Sequence, residues 1–186
     1  CTQALWEAVM GENPSRFQGA ERPVERVSWE DAQGFIERIN AALPGLDLRL
    51  LTEAEWEHAC RAGTTTPFWF GDQITPEQVN YNGNHPYTGG PKGLYREQTI
   101  EGKALTCNAW GLYQLHGNVW ELCADWFGDY PTDAVEDPTG PEAGEQRVLR
   151  GGSWIDRAGG CRSAQRHPRE PARRLGLRGF RLARGP

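Results

Sequence analysis

At 186 residues and 38% hydrophobic side chains, with no apolar run long enough to span a bilayer, the chain reads as one soluble domain over 1–186 without a membrane segment. Its net charge of −5 hides an asymmetry: residues 1–146 carry 9 basic and 23 acidic side chains, a balance of −14, whereas 147–186 carry 11 arginines against Asp156 and Glu170, a balance of +9. Two readings of that basic end stand side by side: arginines paired with the acidic body, and a surface for a protein or other macromolecular partner. The net negative charge and the lack of a groove-reading motif weigh against nucleic acid.

In chain order, the opening Cys1-Thr-Gln-Ala-Leu-Trp reads as the middle of an element, predicting that an N-terminal portion is missing. Ser28-Trp-Glu-Asp31 then gives a capping box, and Phe35, Ile36 and Ile39 follow at helical spacing up to Pro44-Gly45. Thr52-Glu-Ala-Glu55 repeats the box, with Trp56, Ala59 and Cys60 on one face and Gly63 as the stop. Two helices are therefore predicted. From Gly63 to about Asn108 the chain is rich in Gly, Pro, Asn and Thr, but Phe68, Trp69, Phe70, Tyr81 and Tyr87 make it ordered loop and not linker. Trp110–Trp126 alternates as one or two strands, Arg147–Trp154 as another, and Gly179–Arg184 as a closing one. If the last two pair, the connection between them folds back over one end of a sheet.

Cysteines at 1, 60, 107, 123 and 161, odd in number and without Cys-x-x-Cys spacing, argue against a zinc ribbon or a secreted disulfide framework. They favour a reducing, cytoplasmic setting. The histidines, His58, His85, His116 and His167, show no ligand spacing.

Trp29-Glu-Asp-Ala, Arg49-Leu-Leu-Thr-Glu-Ala-Glu-Trp-Glu-His-Ala, Gly117-Asn-Val-Trp-Glu, Arg150-Gly-Gly-Ser-Trp and Gly179-Phe-Arg, in that order, resemble the formylglycine-generating enzyme, or sulfatase-modifying factor, family from Thr2 to Arg184. The resemblance implies an α+β, C-type lectin-like fold: a small mixed sheet, two helices and extensive ordered loops. The family's enzymes hold copper(I) on two cysteines five residues apart. Asp156 stands in the first place and Cys161 in the second, so the resemblance implies no copper here. It also implies a calcium ion held by the Glu121 carboxylate with carbonyls of His116, Gly117 and Val119, against which Asn118 and Glu121 as simple braces of a turn remain open. Iron-dependent sulfoxide synthases, a related branch, take their histidine ligands from a separate N-terminal domain.

Residues 147–184 resemble more closely the variable proteins of diversity-generating retroelements, whose template adenines are randomised, chiefly in Asn codons. That resemblance implies a non-enzymatic ligand-binding domain with diversified positions at Ile155, Asp156, Arg157, Gly160, His167, Pro168, Arg173, Leu175, Gly176 and Leu177. No asparagine follows Asn118, and each of these residues is reachable from an Asn codon by changing its first two bases. Trp154, Cys161, Ala164 and Phe180 are expected to pack inward or hold strand register as the frame, with Ile155, Asp156, Arg157, His167, Arg173, Leu175 and Leu177 together on one exposed face. The alternative is a formylglycine-generating or sulfoxide-synthase type enzyme, or enzyme subunit, whose chemistry is supplied elsewhere.

Overall fold

The computed structural model describes residues 1–185. Among them are three α-helices, α1 (Gln3–Met10), α2 (Trp29–Ala42) and α3 (Glu53–Arg61), where two were expected. The added one is α1. The Thr2 hydroxyl accepts from Leu5 N at 3.3 Å and Gly11 closes the helix at φ 85°, so Gln3–Met10 is a helix capped at both ends. Eight residues make barely two turns, too few for a hydrophobic period to register. Both capping boxes form: Ser28 and Asp31 exchange hydrogen bonds of 2.8 and 3.0 Å, Thr52 and Glu55 of 2.8 and 3.2 Å.

Among the described residues six short strands make two sheets. β1 (Leu48–Leu50) pairs antiparallel with β6 (Leu182–Arg184). The larger sheet runs β4 (Arg166–Arg169), β3 (Arg147–Arg150), β2 (Trp120–Trp126), β5 (Arg178–Phe180), with β5 parallel to β2 and the other pairs antiparallel. Several strand expectations are corrected. The alternating stretch from Trp110 is strand only from Trp120. β3 ends at Arg150, because Gly151 and Gly152 take φ of 94° and 78°. The closing segment breaks at Arg181 into β5 and β6, which join different sheets. β3 and β5 do not pair, since β2 lies between them. β4 was not foreseen; Pro168 cannot donate to a ladder and is tolerated because β4 is the sheet edge.

The largest core cluster packs α1 and α2 on the sheet. Trp6 stacks on Phe35 at 5.4 Å, Phe180 meets Phe35 at 5.5 Å, and Val24, Leu122 and Leu149 fill between them. A second cluster under α3 joins Trp56, Cys60, Leu115, Cys123 and Val148. The irregular stretch has its own core of Phe68, Ile74, Val79, Tyr81, Ala158 and Cys161, which pins the Gly- and Pro-rich loops as their aromatic content predicted. Ala164, by contrast, is exposed and not part of the frame. No helix among the described residues is long and apolar enough to cross a membrane.

Candidate functional site

The chain leaves β3 through Gly151-Gly152 and is turned under the mouth of β2. A Cβ on Gly152 would lie 2.7 Å from the Cys161 sulfur, so only glycine fits there. Trp154 is then fixed on several sides: its indole N–H donates to Gly176 O at 3.1 Å, Phe17 meets its edge at 5.5 Å and Tyr95 stacks on it at 6.1 Å. Trp120, the first residue of β2, is the second anchor. Its indole N–H donates to Asp156 Oδ2 at 2.8 Å, its ring stacks on His167 at 5.1 Å, and its backbone N–H donates to Leu177 O at 2.9 Å. Three parts of the segment, separated by many residues of chain, are thereby gathered at one end of β2.

The ten candidate positions fall into distinct environments. Ile155, Arg157 and Arg173 are exposed, Ile155 at 44%. The others are half-buried, which corrects the expectation of an exposed face at Asp156, His167, Leu175 and Leu177. The Asp156 carboxylate turns inward, accepting from Ser153 N at 3.0 Å, from the Ser153 hydroxyl and from Trp120. Gly160 lies against it: a Cβ there would sit 3.3 Å from the Asp156 Cβ. Leu177 packs on the main core, and the Leu175 carbonyl accepts from Arg26 N and Arg178 N at 3.1 and 3.2 Å. Pro168 follows His167 along β4 and so takes the opposite side of that strand, away from Trp120. Arg157 and Gly160 line a cleft of about 620 Å³ with His85, Tyr87, Arg162 and Gln165. A larger cavity of about 900 Å³ lies elsewhere, lined by Glu53, Glu57, Asp125, Tyr130, Val135 and Arg166 among others.

The arginines of the basic segment divide. Those serving the fold include Arg150 with Glu53 and Glu57, Arg166 with Glu53 at 2.6 Å, Arg174 with Asp31 at 2.5 Å, Arg181 with Glu121 at 2.7 Å, and Arg147 between the Trp29 and Trp126 rings at 3.7 and 3.4 Å. Arg157, Arg162, Arg169 and Arg178, among the described residues, have no carboxylate within 4.0 Å, and Arg173 has only Glu170 at 3.9 Å. Burial, with Arg169 and Arg178 nearby, lowers the pKa of His167.

Neither the copper of the family's enzymes nor the calcium implied by resemblance finds a good donor set. The Cys161 thiol is fully enclosed and burial pushes its pKa well up, while Asp156 is committed to Ser153 and Trp120; one hard carboxylate and one buried thiol do not fit copper(I). Both oxygens of the Glu121 carboxylate are taken, by Arg181 at 2.7 and 2.9 Å and by the Trp56 indole at 2.7 Å, so a calcium ion there would meet a guanidinium. Those residues do not fit calcium either; Glu121 braces α3 and the start of β2 against Arg181. Gly117 N donates to Gly151 O at 2.8 Å, and the Asn118 side chain accepts from Ile100 N at 2.9 Å and from Asn80 Nδ2 at 3.1 Å. Val119 is buried beside the close approach of Gly179. His116 is buried; its Nε2 accepts from Trp69 N at 3.2 Å, which assigns the proton to Nδ1, donated to Cys161 O at 2.7 Å. Burial lowers its pKa to about 4. His58 lies against Trp110 at 4.9 Å on α3.

Sequence reasoning missed Phe17, Tyr95 and Arg178, and read Trp120 only as part of a strand stretch and a turn motif. An aromatic in a Gly-rich loop was the one signal that could have marked Tyr95.

The fold and motifs have counterparts. The chain is 33% identical over 98% of its length to a formylglycine-generating enzyme of Thermomonospora curvata and 35% identical over 96% to one of Streptomyces coelicolor; it spans 62% and 60% of those proteins. It superposes on the solved structure of Treponema denticola variable protein 1 with a TM-score of 0.83 and 32% identity, covering 97% of this chain and 80% of that one. The architecture is α+β of the C-type lectin-like kind. Residues 1–186 match the model of the sulfatase-modifying factor enzyme 1-like domain, and with five motifs in family order on this frame the chain belongs to that family.

Proposed function

We propose that the chain is a ligand-binding domain without chemistry of its own, whose segment 147–184 presents diversified side chains on a fixed frame, as in the variable proteins it resembles. The observation that carries the reading is the meeting of Asp156, His167, Gly176 and Leu177 at Trp120 and Trp154, while Ile155, Arg157 and Arg173 of the same segment are open to solvent. Aromatic anchors framed by arginine and aliphatic side chains have the composition of a recognition patch. The superposition on Treponema denticola variable protein 1, with a TM-score of 0.83, supports the reading. The test is a variant carrying Ile155→Ala, Arg157→Ala and Arg173→Ala. It is expected to melt within a few degrees of wild type and to lose the partner that wild type captures. Retention of that partner would overturn the proposal.

A second reading, a formylglycine-generating or sulfoxide-synthase type enzyme or subunit, is favoured by the two relatives named for the first activity. It is tested by incubating the protein with copper(I) and a cysteine peptide. Our reading expects no aldehyde, because the Cys161 thiol is enclosed and its partner is Asp156. Stoichiometric copper binding with aldehyde formation would establish the second reading instead.

A further inference from the structure

The division of the arginines bears on what kind of ligand the face takes. Arg178 is only 1% exposed, yet its Nε and Nη2 are buried without an acceptor, and Nη1 donates to Arg173 O at 2.8 Å. Burial, followed by the charges of Arg169 and Arg173, lowers its pKa to about 10, with Glu170 the one opposing charge. A buried cation with two unspent donors beside two like charges is destabilising until an anion or acceptor completes it. His167 faces the same field: Arg169 and Arg178 oppose its protonation and Asp156 favours it. His167 in turn stacks on Trp120, whose indole N–H donates to Asp156, so the basic corner adjoins that anchor.

We propose that His167, Arg169, Arg173 and Arg178 form a seat for carboxylates, and that the ligand of this face is an acidic protein surface. Arg173, exposed, and Arg169, half-buried, reach the ligand; Arg178 charges the seat from beneath as a positioning residue. Two features select a protein over an extended polyanion. Residues 1–146 carry a balance of −14, which repels a long chain of phosphates beyond the patch. Ile155, exposed beside Asp156, adds apolar contact that a protein surface uses. The inference rests on the ligand-binding reading and gives it a partner of stated charge.

The test titrates the isotope-labelled protein with hexaglutamate, hexaserine, hexalysine and a short oligothymidylate. Hexaglutamate is expected to give saturable shifts at the Trp120 indole N–H and at Arg169, Arg173 and Arg178. Its affinity should fall about tenfold or more as salt rises from about 50 to about 300 mM, and at least as far in Arg173→Glu. Arg178→Gln, which removes an uncompensated buried cation, is expected to keep or raise the melting temperature while weakening hexaglutamate. Undiminished binding by Arg173→Glu overturns the seat. Shifts at the same face from hexaserine or hexalysine but not hexaglutamate overturn the acidic partner and leave a ligand-binding face. Tighter binding of the oligonucleotide at these residues replaces protein with nucleic acid. Shifts confined to other surfaces defeat both readings.

Discussion

Asp156 shows how a position can stand in a diversified segment and still serve the fold. Its carboxylate accepts from the Trp120 indole, the Ser153 amide and the Ser153 hydroxyl, so Asp156→Ala orphans two buried N–H donors. The cost is expected at about 1–3 kcal/mol in urea denaturation, whereas Arg157→Ala, at an exposed position, stays within roughly ±0.5 kcal/mol. Equal effects at the two positions would contradict this partition. Glu121 makes a parallel case. Because its oxygens are satisfied by Arg181 and Trp56, a chelator is expected to leave the melting curve unchanged, while Glu121→Ala, which strands Arg181, costs about 3 kcal/mol. A chelator-induced drop in melting temperature that Glu121→Ala abolishes would make the carboxylate a metal ligand after all.

Among the elements, those with local chemistry are legible in the amino-acid sequence. α2 and α3 announce themselves by Ser28/Asp31 and Thr52/Glu55, and each box forms. The Arg49 guanidinium, bonded to both Glu55 oxygens at 2.7 Å, holds that carboxyl below its ordinary range, with the Thr52 amide assisting. A carboxyl whose folded pKa is depressed stabilises above its unfolded value and loses that contribution as pH falls through the folded one. Wild type is therefore expected to lose more melting temperature than Glu55→Gln between about pH 5 and about pH 3. Parallel acid profiles would remove Glu55 from the account. The elements that escaped the sequence lack such local signals. α1 is too short to show a period, β1 and β6 are three residues each and pair across 132 or more positions, and Arg166-His-Pro-Arg of β4 carries neither alternation nor β-branched residues. The split at Arg181 follows from the reach of its guanidinium to Glu121, a contact no spacing rule reveals.

For the whole molecule, the arginines behind the charge asymmetry separate into those held by carboxylates or, as Arg147, by tryptophan rings, and others, Arg178 among them, with no carboxylate within reach; counting residues located the segment but could not separate them. The ordered character of 63–108 was legible because Phe68 and Tyr81 had to bury somewhere, and they do so against Ala158 and Cys161, behind the proposed surface. What composition could not give is the meeting of Asp156, His167 and Gly176 at two tryptophans, which depends on β2 lying between β3 and β5. The central claim, a fixed frame carrying replaceable side chains, is tested most directly by a substitution scan over residues 147–184 and Trp120 that scores folded protein displayed at a cell surface. The account predicts broad tolerance at Ile155, Arg157 and Arg173, with near-complete loss at Trp120, Gly152, Trp154 and Cys161; intolerance at the three exposed positions equal to that at Trp154 would contradict it.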